Sequence, residues 1–311
     1  MMRPRLGLIA IAVVSVGAAD PLTATIDIAD AERFVRIFEA SGGKPDAATL
    51  QAGYLDKASE GVKIFTPGRI ENAENLAAAV ARQPDRYAYA IKNCLPLVPK
   101  LNDDLRSIYL AYRGLVPERS LPGIYVVFGA GNSGGTAGPS AQVMGLEVTC
   151  GPGTTPDQFR ATMRSMFAHE TVHSWQKEPS RAVIQKDLLL MAALREGVPD
   201  YLAKLVTGAV PGAERDAWAR QREAWLWAQF DQDRRKITNP DDPAAEAVFR
   251  RWFANYGSAP EGWPSEAGYW IGMRIAESYV VQAKDKRRAI RDLIEAKDPT
   301  AILKASGYAP R

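Results

Sequence analysis

Apolar residues recur every three or four positions over most of this chain, the spacing that lines one face of an α-helix. In the amino-terminal third the pattern predicts helices over Ala31 to Ala40, Ala73 to Lys92 and Asn102 to Gly114, broken by Ser41-Gly42-Gly43, Pro96 and Pro99. The period then changes. Gly123-Ile124-Tyr125-Val126-Val127-Phe128 reads as a strand, and Gln142 to Thr149 as a second apolar stretch of the same kind. Between them Gly129-Ala130-Gly131-Asn132-Ser133-Gly134-Gly135 has the formal spacing G-x-G-x-x-G, but a dinucleotide site requires a helix to open at the last glycine. Thr136-Ala137-Gly138-Pro139 follows instead, so a flexible loop flanking a cleft is expected. The remainder is mostly helical, which makes the fold class α+β with a small sheet before the central helix.

That helix begins with clear signals. Thr155 is the expected N-cap, Pro156 suits the first helical position and Asp157 adds charge of the right sign to the first turn. Thr162, Met166, His169 and His173 share one stripe, with Phe159, Met163 and Phe167 on the next. His169 and His173 are the only histidines among 311 residues, and they stand in Phe167-Ala168-His169-Glu170-Thr171-Val172-His173, an H-E-x-x-H sequence. Chance would place two histidines four apart in about 1 chain in 150 of this length, before the glutamate is required. Four residues are one helical turn, so both imidazoles can reach one metal ion with Glu170 beside it.

A zinc ion held for chemistry takes three protein ligands and keeps one position open. The third ligand must be a carboxylate, because no third histidine exists; Gln176 and Pro179 also stand where a metzincin would need glycine and histidine. Glu196 is the best candidate, since it lies in the apolar stretch Leu188 to Leu202, where a buried acid needs a partner.

H-E-x-x-H followed some twenty residues later by a glutamate on a second helix resembles the gluzincins, the thermolysin-like and M1-aminopeptidase-like zinc peptidases. The run Phe167 to Gly208, with Glu196-Gly197 and Tyr201-Leu202, and Gly268-Tyr269-Trp270-Ile271-Gly272 are similar to bacterial zinc-dependent proteases known only as a domain of unknown function. The resemblance covers roughly residues 120 to 310. It implies a gluzincin architecture, His169, His173 and Glu196 as zinc ligands, and Glu170 as the acid/base of a metallopeptidase. In that chemistry Glu170 takes a proton from zinc-bound water and returns it to the leaving amine. Asp200 matches a position that braces a ligand histidine, although Gly197 and Pro199 interrupt the helical run and leave it equally readable as a first-turn acid. Tyr269 is the candidate oxyanion donor, with Tyr279 and Arg274 as alternatives and a plain core aromatic as the bland reading. The strand around Ala141 to Glu147 is a candidate edge for pairing with an extended substrate.

The remaining features set the context. Met1 to Arg5 is basic, Leu6 to Val16 is apolar and Gly17-Ala18-Ala19 is small, as in a secretory signal peptide cleaved near Ala19; a retained tether is the alternative. Eleven apolar residues are too few to span a bilayer, and no cysteine adjoins the cleavage region. Beyond Arg5 the charges are 37 basic against 36 acidic, which gives no reason to expect a nucleic-acid partner. Cys94 and Cys150 are permitted a disulfide by export, and the sequence leaves open whether they meet. The seven tryptophans sit mostly in helical patterns and are expected in the core rather than on a sugar-stacking surface. The expected organisation is a signal peptide over 1–19, a helical region over 20–120 and a catalytic region over 121–311, the last two forming one unit. The expected protein is therefore a periplasmic or secreted zinc metallopeptidase acting on a peptide or protein. The competing reading is a non-catalytic binding or structural protein on a decayed peptidase scaffold.

Overall fold

The computed structural model describes residues 19–237 and 239–310. The expected signal peptide, apart from Ala19, lies outside them. Four short strands form one mixed sheet: β1 (Ile26–Asp27), β2 (Gly123–Val127), β3 (Gly135–Ala137) and β4 (Ala141–Gly145), in the spatial order β1-β2-β4-β3. β1, β2 and β4 run parallel, with Ile26 opposite Ile124 and Tyr125 opposite Val143, while β3 runs antiparallel to β4 and forms one edge. Helices make up most of the rest, so the α+β class holds, with every strand preceding the histidine-bearing helix. None of the described helices is long and apolar enough to cross a membrane.

Residues 20–120 build on the same sheet as the later half of the chain. Phe34, from the helix Ala29–Ala40, stacks on Phe128 with ring centroids 4.5 Å apart. Tyr54 donates its hydroxyl to the Phe128 carbonyl at 2.9 Å. A disulfide joins Cys94 to Cys150, just ahead of the histidine helix. The segment Ala73 to Lys92 is not one helix, because Pro84 cannot donate to the preceding turn; it opens a new helix, Pro84–Tyr89, after Ala73–Arg82.

The glycine run Gly129 to Gly135 departs from the expected flexible loop. It is a pinned connection and not a flexible loop. The buried carboxylate of Glu147 accepts the backbone N–H of both Gly129 and Gly131, each at 3.1 Å, and Tyr87 donates to the Gly129 carbonyl at 2.8 Å. Gly131 takes φ +77°, open to glycine at little cost. So anchored, the chain turns into β3, which takes the sheet edge that had been expected of β4. The second apolar stretch is a strand only to Gly145, after which Leu146–Thr149 form a helical turn.

Three helices carry the candidate chemistry. The histidine helix, Pro156–His173, starts with a full capping box between Thr155 and Gln158. It is tied to the sheet by Gln142 of β4, whose amide donates to Thr171 Oγ1 at 2.7 Å. The glutamate helix, Leu188–Thr207, is capped by the Asp187 side chain and ended by Gly208 at φ +73°. It runs unbroken through Gly197 and Pro199. The tyrosine helix, Ala267–Gln282, crosses it at the closest possible range: a methyl group added at Gly272 would sit 1.7 Å from the Ala193 carbonyl oxygen, and one at Gly197 would sit 2.2 Å from Gly272 backbone. Gly268 faces the Phe253 ring instead of another backbone. Of the tryptophans, Trp175, Trp252 and Trp270 are buried, whereas Trp225 is 46% exposed and packs on Trp218 and Trp263.

Three substitutions test this packing. Gly272→Ala must push the two helices apart and should cost about 1–3 kcal/mol or more in urea denaturation. Gly114→Ala, whose added methyl meets nothing within 4 Å, should be neutral or slightly stabilising by the same measurement. Replacing Cys94 and Cys150 together by alanine opens a loop of 56 residues and should cost up to about 4 kcal/mol.

Candidate metal centre

The histidine helix places His169 and His173 one turn apart on the face turned toward the glutamate helix, and both are largely buried. Glu196 projects from the facing turn of that second helix. Its Oε2 lies 3.5 Å from His169 Nε2 and 3.2 Å from His173 Nε2, and the two Nε2 atoms are 2.9 Å apart. One ligand-capable atom from each residue falls within 4.8 Å of the others, and among the described residues this is the group of three or more able to hold an ion. The donor set suits zinc chemically, with two imidazole nitrogens and one carboxylate oxygen. Two nitrogen lone pairs and a carboxylate aimed at one point need a proton or a cation between them.

The far side of each imidazole is braced. His169 Nδ1 is 2.8 Å from Asp200 Oδ1, and Asp200 Oδ2 accepts from Arg215 Nη2 at 2.6 Å. His173 Nδ1 is 2.7 Å from Gln176 Oε1. With both Nδ1 atoms occupied, the Nε2 atoms are the ones presented to the cluster. Asp200 is therefore no first-turn acid; it lies one turn beyond Glu196 in a continuous helix, buried behind the cluster.

These contacts set the charge states. Burial opposes a charge on His169, but hydrogen bonds to Asp200 and Glu196 outweigh it and raise its pKa well above the ordinary value. Burial also opposes a charge on Glu196, and the two histidines overcome it and hold the carboxyl well below the usual range. The Tyr269 hydroxyl is pushed far up by burial and then by the charges on Glu196, Glu266 and Asp200. Its ring stacks near His169, with centroids 6.1 Å apart and planes 14° from parallel, and the Arg215 guanidinium lies 5.3 Å from its centroid.

The cluster lies in a cleft of about 1050 Å³, lined also by Glu170, Tyr269, Arg69 and β3. Glu170 is 7% exposed and stands against β3, close enough that a methyl group at Gly135 would come within 3.0 Å of its carboxylate. Arg69 lines the same cleft; burial lowers its pKa while Glu170 acts in the opposite sense. The other candidates for Tyr269's place are engaged elsewhere: Arg274 binds Glu223 at 2.9 Å and Tyr279 reaches Asp292. Four participants escaped the sequence reading: Gln176, Arg69, Arg215 and Glu266, the last in the left-handed region at φ +60°. Gln176 carried a weak signal, three residues past His173. The others come from distant segments and carried none.

No curated protein and no solved structure matches this chain. A model of a GldB lipoprotein family, described as gliding motility protein GldB, matches residues 23–310. That match corrects the identification as a gluzincin and as a domain-of-unknown-function protease, because the matching family is one of motility proteins and not of peptidases. The assignment as a zinc metallopeptidase, and as a hydrolase of any kind, falls with it. The role of Glu170 as acid/base was part of that assignment and goes with it; the finding favours the non-catalytic alternative. With 288 of its residues spanned by that single model, the chain belongs to the family of the gliding motility protein GldB.

Proposed function

We propose that this chain is a non-catalytic binding protein of an exported compartment, in which His169, His173 and Glu196 hold one zinc ion at the floor of a cleft that receives a segment of a partner protein. The observation that carries this reading is the convergence of three ligand atoms within 4.8 Å, each imidazole braced from behind. Structural zinc sites are normally closed by four protein ligands. A site with three keeps a position for a donor atom from outside, so zinc here would supply a coordination point for a partner's oxygen or nitrogen. β3 supports the same reading, because an edge strand along a cleft offers backbone groups to an extended segment. A cleft shaped around a metal can bind without turning anything over. Export is supported by the family's lipoprotein designation and by the Cys94–Cys150 disulfide, which suits an oxidising compartment.

The test is metal content together with peptide hydrolysis. Purified protein should hold about one zinc per chain; His173→Ala and Glu196→Gln should lose it, and Glu170→Gln should keep it. Zinc-loaded wild type should hydrolyse no general peptide substrate. Turnover that vanishes in Glu170→Gln would defeat the non-catalytic reading, and a metal-free wild type that takes up no zinc would defeat the metal-binding one.

Zinc binding should also be coupled to protons. His169 holds its proton above the ordinary pKa of about 6.5, whereas Glu196 is already ionised at neutral pH. Zinc must displace that proton, so affinity should rise with pH up to the raised value and fall on acidification, by about tenfold per pH unit for one proton. In the metal-free protein the sign is opposite. The proton's stabilising contribution is complete below pH of about 6.5 and is lost as pH rises through the folded-state value. Calorimetry in two buffers of different ionisation enthalpy should read about one proton released per zinc near pH 7.

A further inference from the structure

Pro199 sits inside the glutamate helix, and a proline has no N–H to donate to the carbonyl four residues earlier. That carbonyl belongs to Arg195, the residue immediately before Glu196. Its oxygen instead accepts the side-chain amide of Gln176, Nε2 to O, at 3.0 Å. The other end of the same amide, Oε1, faces His173 Nδ1 at 2.7 Å. The Arg195 side chain adds two more ties to the same short segment, donating to the Lys177 carbonyl at 3.3 Å and to Glu178 at 2.6 Å. The chain directly after one ligand is thus fastened to the residue directly before another.

We propose that Gln176 is a positioning residue of the metal centre: the carbonyl that Pro199 leaves free fixes its amide, and the fixed amide holds His173 with Nδ1 protonated and Nε2 turned toward the cluster. The inference deepens the metal-binding reading and rests on it for its meaning. A glutamine amide is nearly symmetric in shape, and unanchored it is free to turn its NH₂ toward His173, which selects the opposite tautomer. A carbonyl oxygen only accepts, so Arg195 removes that choice. Asp200 needs no such anchor, because both oxygens of its carboxylate are engaged as acceptors, one facing His169 and the other taking the Arg215 guanidinium. The two braces therefore reach the same end by different chemistry. The neutral one depends on a proline that costs the helix a hydrogen bond.

The experiment combines zinc affinity, by competition with a chelator, and nitrogen NMR of the metal-free protein, in which the only histidines are His169 and His173. In Gln176→Leu, zinc should bind roughly 10- to 100-fold more weakly, and the His173 signals should move from the Nδ1–H form to a mixture, with His169 unchanged. Pro199→Ala returns an N–H to compete for the Arg195 carbonyl. It should weaken zinc binding by a smaller factor while leaving the thermal midpoint unchanged or higher, a combination that a merely structural proline would not produce. Unaltered His173 tautomer or unaltered zinc affinity in Gln176→Leu overturns the proposal. Should Gln176→Leu fail to fold, unaltered zinc affinity in Pro199→Ala does so. A wild type that binds no zinc defeats the proposed function separately, while the tautomer measurement still decides the role of Gln176.

Discussion

Two backbones that touch without side chains between them hold this molecule's chemistry in register. Gly197 and Gly272 let the glutamate and tyrosine helices meet at a distance that even one methyl group would forbid. A glycine inside a helix costs about 1 kcal/mol of helix propensity, and this close packing offsets it. Gly197 directly follows Glu196, so the contact also fixes the rotation of the helix that presents the carboxylate. Tyr269, one turn before Gly272, is brought to the rim of the same cluster.

The polar groups behind the cluster form a chain of dependence that the apolar packing makes affordable. Asp200 is buried, and a buried carboxylate is costly unless it is paired. It is paired on both sides, by His169 and by Arg215, and Arg215 in turn lies against the Tyr269 ring. Glu147 shows the same logic at the sheet, where a carboxylate with burial raising its pKa is held by two backbone N–H groups and so anchors the turn into β3. Each buried charge thus does double service, satisfying itself and aiming a segment toward the cleft.

How much of this was legible in the sequence depended on range. The start of the histidine helix was readable because an N-cap, a proline and an acid act within one turn, and the capping box appears where they predicted it. β2 was readable from its composition. The continuity of the glutamate helix was not, since Gly197 and Pro199 argue locally for a break; tertiary contacts at both residues, Gly272 against one and Gln176 at the carbonyl freed by the other, compensate the local cost. β3 was hidden inside a glycine run because its three residues owe their strand conformation to pairing with β4 and not to their own propensity. The peptidase identification failed for a different reason: H-E-x-x-H spacing encodes the geometry of metal reach, and reach is compatible with binding as well as with turnover.

By itself the sequence determined the secondary-structure class, the helix that carries both histidines, and their shared face, because these follow from covalent geometry repeated every few residues. Only the tertiary structure decided that Glu196 meets that face, that Asp200 and Gln176 brace opposite imidazoles, and that Arg215, Arg69 and β3 surround them. Those juxtapositions join residues tens of positions apart, and no local period specifies them. They are set by which helix surfaces pack closely enough to exclude water, and here that was settled by two glycines facing one another.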